Sequence, residues 1–93
     1  MNKTEEYNGW TNHETWAADL WLSNDEGLYN EVREIVKNSK DEWDAEKSIK
    51  EYVEELREMV DSGEAGEELK LMFNDIGSLW RVNWGEIAEA WIE

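Results

Sequence analysis

The sequence contains no cysteine and no proline, and only one histidine among its 93 residues. Without cysteine there is no disulfide framework, no thiolate metal site and no cysteine nucleophile. With His13 alone, one chain cannot assemble a multi-histidine metal site. Positive charge is also scarce: 9 Lys and Arg stand against 24 Asp and Glu, a formal net charge of −15. Such a chain repels nucleic-acid phosphates and anionic membrane surfaces, so direct binding to either is not expected. No apolar run approaches the roughly 20 residues of a membrane-spanning helix, and no charged-then-apolar leader is visible. A soluble, intracellular protein is the expectation.

Enzyme motifs are missing as well. The Gly63-Glu64-Ala65-Gly66 segment lacks the lysine of a phosphate-binding loop and follows a helical pattern, not a strand. No Gly-x-Ser-x-Gly elbow occurs. Carboxylates that could act as acid and base are everywhere, and that abundance removes their value as a signal. Asn24-Asp25-Glu26-Gly27 lacks the alternating ligands and terminal Glu of a calcium loop. The expectation is a protein with no enzymatic activity, no cofactor and no dedicated metal site.

What the chain does have is tryptophan, at seven positions: 10, 16, 21, 43, 80, 84 and 91. Each offers about 150–250 Å² of surface to bury. That much apolar surface drives folding of a chain whose charge and polarity would otherwise point to disorder. Trp16 and Trp21 lie about 140° apart around a helix, so both reach a core only if that helix packs on two sides. Most of the seven are expected in the core, with Trp10 or Trp43 as an exposed anchor for a partner.

Periodicity predicts an all-α, compact bundle of four to five short helices in a single domain, residues 1–93, with residues 1–8 as a loose arm. Thr11 and Glu14 have capping-box spacing, with Asn12 as the alternative N-cap, ahead of Trp16, Ala17, Leu20 and Trp21. A second helix opens at Asn24-Asp25-Glu26 and carries Leu28, Val32, Ile35 and Val36. The third, about Asp41 to Ser62, repeats Ala45, Ile49, Val53, Leu56 and Val60, and Gly63 follows as a C-cap. A fourth runs from about Glu67 to Leu79 and places Leu69, Met72, Phe73, Ile76 and Trp80 on its buried side. The last begins at Asn83, with Glu86 three residues on, and buries Ile87, Ala88 and Trp91. Asn12…Trp16-Ala17…Leu20 and Asn83…Ile87-Ala88…Trp91 share a pattern that duplication or common capping rules would each produce.

The acidic coat concentrates between residues 51 and 68, where eight acids accompany one base, Arg57. Glu51, Glu54, Glu55 and Glu58 fall on the third helix opposite its apolar stripe, and Asp61, Glu64, Glu67 and Glu68 extend the run. Acids three or four residues apart on a helix rise about 4.5–6 Å from one to the next. Phosphates along a nucleic-acid strand rise by about 3.4 Å each, a distance of the same order. A helix so decorated could occupy a basic groove built for DNA. A solvated face stitched by Lys47–Glu51 and Lys50–Glu54 pairs is the alternative. His13, in a first helical turn, is read as exposed, with a pH switch or a lone ligand in an assembled oligomer as the alternative.

Gly9-Trp10-Thr11-Asn12-His13-Glu14-Thr15-Trp16, preceded by Tyr7-Asn8, resembles the Gly-Trp-Thr-Asn-x-Glu-Thr-Trp signature of a family of small proteins. Leu20-Trp21-Leu22 and Asn24-Asp25 continue the likeness, as does Val82-Asn83-Trp84-Gly85-Glu86-Ile87-Ala88-Glu89-Ala90-Trp91 near the other end. Members are encoded by phages, plasmids and archaeal or bacterial mobile elements, which implies a cytoplasmic setting in such a host. In size and charge the chain is similar to anti-CRISPR and anti-restriction inhibitors that imitate DNA. The expected function is therefore counter-defence. The acidic surface would bind the basic DNA-binding surface of a host complex, a CRISPR effector first among them. A non-inhibitory acidic adaptor of a phage or plasmid is the alternative, and a small hydrolase a distant third.

Overall fold

Short polar side chains set where four of the five helices begin. The structure, a computed structural model, describes residues 8–92, so the expected arm at residues 1–8 lies outside the described residues except for Asn8. Helix α1, His13–Asn24, starts behind Asn12, whose Oδ1 accepts the Thr15 N–H at 2.9 Å. Asp25 and Asp41 cap α2, Glu26–Asn38, and α3, Glu42–Asp61, in the same way. Two further helices follow, α4, Glu67–Ile76, and α5, Trp84–Ile92, the latter capped by Asn83. Each cap supplies an acceptor to a backbone N–H that the helix itself leaves unpaired. The fold is all-α, with no strand among the described residues.

Helices α2, α4 and α5 each pack on both α1 and α3. Helix α1 therefore has neighbours on several sides, which is why its apolar residues are spread around the axis and why Trp16 and Trp21 are both half-buried. Helix α3 keeps one free side. Its buried residues Ala45, Ile49 and Val53 face the core together with Leu22, Val32, Met72, Ile76 and Ile87. Gly63, at φ 82°, ends α3 as expected; its N–H bonds Val60 O at 3.1 Å and the next N–H, of Glu64, bonds Met59 O at 2.8 Å.

Two expectations need correction. Helix α4 stops at Ile76, three residues before the predicted end, because Gly77 takes φ 90° and turns the chain away. A single 3₁₀ turn, Leu79–Arg81, follows. Trp80 then points outward at 86% exposure, and Val82 takes the core position instead. The core also holds less tryptophan than expected. Only Trp84 is buried; Trp10, Trp16, Trp21 and Trp91 are half-buried against it, and Trp43 is 66% exposed.

The predicted Thr11–Glu14 box is replaced by a longer-range arrangement. The Thr11 N–H donates to Glu86 Oε1 at 3.1 Å, and Glu14 pairs with Arg81 at 3.3 Å. The Asn12 amide donates to Arg81 O at 2.9 Å. The Thr15 hydroxyl donates to Asn12 Oδ1 at 2.7 Å and accepts the Asn83 N–H at 2.9 Å. Thr15 is fully buried, so one hydroxyl joins the starts of α1 and α5 across 68 residues of sequence. Replacing it with valine keeps the shape but leaves the Asn83 donor unpaired, which costs about 1–3 kcal/mol. Thr15→Val should lower the melting temperature by about 4–8 °C per kcal/mol lost, and Thr15→Ser should lower it less. Thermal denaturation of the pair checks this; a valine variant as stable as the parent would refute the role of the hydroxyl.

Candidate functional site

All eight predicted carboxylates, at positions 51, 54, 55, 58, 61, 64, 67 and 68, are exposed. On α3, Glu51, Glu54, Glu55, Glu58 and Asp61 occupy an arc of about 120°, directly opposite the buried Ala45, Ile49 and Val53. They extend over about 15 Å of helix axis. Glu64 lies in the loop, tied back to α3 by its N–H bond to Met59 O at 2.8 Å. Glu67 and Glu68 form the first turn of α4, where the exposed N–H groups favour negative charge. The surface is continuous in sequence and rigid over its helical parts.

The single base within the run does little to neutralise it. Arg57 bonds Asp61 at 3.4 Å, and its guanidinium lies 5.7 Å from the centroid of the Phe73 ring. It is thereby drawn to the α4 side. The Lys47–Glu51 and Lys50–Glu54 pairs of the solvated-face alternative are not formed; among the described residues the close ion pairs are Arg57–Asp61 and Arg81–Glu14. Lys47 instead lies 5.8 Å over the ring of Trp43 at the start of α3. Trp43, one of the two anchors expected from sequence, is thus exposed, whereas Trp10 is half-buried.

Other sequence candidates take structural places. His13 is exposed in the first turn of α1, with its ring 5.7 Å from that of Trp16. Asp25, in the segment weighed as a calcium loop, joins α1 to α2 and caps the latter. Among the described residues no group of three or more His, Asp or Glu converges as metal ligands do. None of the described helices is long and apolar enough to cross a membrane. The exposed Trp80 was missed because the spacing from Ile76 fits a continuing helix; Gly77 was the available signal.

One carboxylate is set apart by burial. Asp19 accepts the Trp91 indole N–H at 2.7 Å and the Ser23 hydroxyl at 3.5 Å. Burial pushes its carboxyl above the ordinary 3.8, and these two hydrogen bonds only partly offset that.

Compared with known proteins, residues 3–92 match a family of unknown function (DUF7249). No curated protein and no solved structure matches the chain.

The electrostatics generate two expectations. Uncompensated carboxylates repel one another, so raising salt from low to physiological levels should raise the melting temperature. An unchanged value would mean that the coat is internally balanced. For Asp19 the folded pKa is raised, so its ionised form costs stability above that raised value, and the cost disappears as pH falls toward 3.8. Asp19→Asn still accepts the Trp91 N–H. It should raise the melting temperature at neutral pH and reduce the gain on acidification; parallel pH profiles for variant and parent would contradict this.

Proposed function

The chain belongs to that family of unknown function, and we propose that it is a stoichiometric counter-defence inhibitor. It binds the DNA-handling groove of a host complex, a CRISPR effector in the first instance, through the acidic side of α3. The observation that carries this reading is the exposure of all eight carboxylates, with Arg57, the one base within residues 51–68, drawn to Asp61 and Phe73 at the end of the run. Carboxylates on a rigid helix present charge at intervals near those of phosphates, without the strand itself. Opposed charge accelerates encounter and, where water is excluded, slows release. The likeness of Gly9–Trp16 and Val82–Trp91 to phage and plasmid proteins supports a setting in which such an inhibitor has value.

Trp80 at 86% exposure and Trp43 at 66% favour a second reading, a non-inhibitory adaptor that anchors a protein partner through an aromatic side chain. The two readings separate in a strain with active CRISPR immunity. Under the first, expression of the protein restores plating of a targeted phage; under the second it does not.

Replacing Glu51, Glu54, Glu55 and Glu58 together with Gln removes charge while keeping size and helix propensity. The expected variant is folded, at least as stable as the parent, and inactive in the plating assay. Double-stranded DNA should also compete with the parent protein for the purified target. A fully active quadruple variant would move the site off α3.

A further inference from the structure

A cleft of about 330 Å³ lies where four helices meet beside the acidic surface. Trp21 of α1, Leu28 of α2, Tyr52 of α3 and Leu69 of α4 form its apolar walls, and Asp25 and Glu68 contribute carboxylates. No lysine or arginine lines it. The indole of Trp21 is held in place by its N–H bond to Asp75 at 3.0 Å. Asp25 uses one oxygen, Oδ1, to cap α2, which leaves the other for a ligand. Gly27 also lines the cleft and leaves that part of its wall without a side chain.

We propose that this cleft receives one arginine side chain of the basic partner, an inference that rests on the acidic-surface reading and gives it a specific contact. A guanidinium is planar and weakly hydrated, stacks on aromatic rings, and bonds carboxylates through paired N–H groups. Trp21 and Tyr52 supply the rings, and Asp25 and Glu68 the carboxylates. The Tyr52 hydroxyl is pushed above its ordinary 10.0 by burial first and then by the charges of Glu31 and Asp25. The same negative potential attracts a cation, and the ring stays neutral at physiological pH. The side of α3 that carries Glu51 and Glu58 is convex and wet, whereas the cleft sets residues of four helices around a side chain that enters it. It is where a charge contact on this surface becomes retention as well as steering.

The full-length protein, titrated with a blocked tri-arginine peptide while the Trp21 indole N–H is followed by NMR, tests this directly. A saturable shift of that signal is expected, and blocked tri-lysine should produce a smaller one. Asp25→Asn, which still caps α2, combined with Glu68→Gln should weaken arginine-peptide binding by roughly tenfold. Glu54→Gln with Glu58→Gln removes as many charges and should weaken it less. Gly27→Leu keeps every carboxylate, favours the helix and fills the cleft, so it should abolish the Trp21 shift. An unmoved Trp21 signal, an equal response to lysine, or an undisturbed Gly27→Leu variant would each overturn the cleft. If the cleft binds arginine but the protein fails to restore phage plating, the inhibitor reading falls and the cleft stands. If plating is lost in the quadruple Gln variant but kept with Gly27→Leu, the cleft falls and the inhibitor reading stands.

Discussion

The structure depends on satisfying a few polar groups that it buries near the starts of two helices. The Thr15 hydroxyl, fully buried, must serve Asn12 and Asn83 at once, and the Asn12 amide must reach Arg81 O. An unpaired buried polar group is costly, so these bonds tolerate little displacement. They bring the chain at residue 83 to the start of α1. That requirement explains the early end of α4: a helix continued beyond Ile76 would carry residues 79–81 past Asn12. Gly77 makes the turn, and Trp80 is displaced outward as its consequence.

Charge is arranged around this frame in two ways. Where carboxylates have structural work, they cap helices or accept N–H groups, as Asp25, Asp41, Asp19 and Glu86 do. On the outer side of α3, Glu51, Glu54, Glu55 and Glu58 have no such partner among the described residues, and Asp61 meets only Arg57. Self-repulsion there is a cost the fold carries through burial of apolar side chains elsewhere, and the half-buried tryptophans share that task with Ile49, Met72 and Ile87. A basic partner of the kind proposed would relieve that repulsion. The cleft between Trp21 and Tyr52 combines both arrangements, with a capping carboxylate that is also open to a ligand.

Much of the fold was legible because helix periodicity and capping are local. The stripe Ala45, Ile49, Val53 placed α3 and its acidic side together, since 100° per residue fixes both faces once one is known. The candidate carboxylates on α3 were readable for the same reason. The boundaries near Asn12 and Asn83 were readable less fully. The choice of Asn12 over the Thr11–Glu14 box turned on Glu86, a residue 75 positions from Thr11. Spacing cannot report such a partner.

The sequence by itself determined an all-α fold of four to five helices, most of the stripe that each helix would bury, and the exposure of the carboxylates opposite the α3 stripe. These follow from interactions within one or two turns of chain, together with the preference of charge for water. Only the tertiary structure decided which tryptophans would be covered, where α4 would stop, and which residues would meet in the cleft. Trp80 and Trp84 carry the same side chain four positions apart, yet one is 86% exposed and the other 6%. The difference comes from a turn at Gly77 that brings residue 83 to Thr15, a demand arising from residues far apart in the chain.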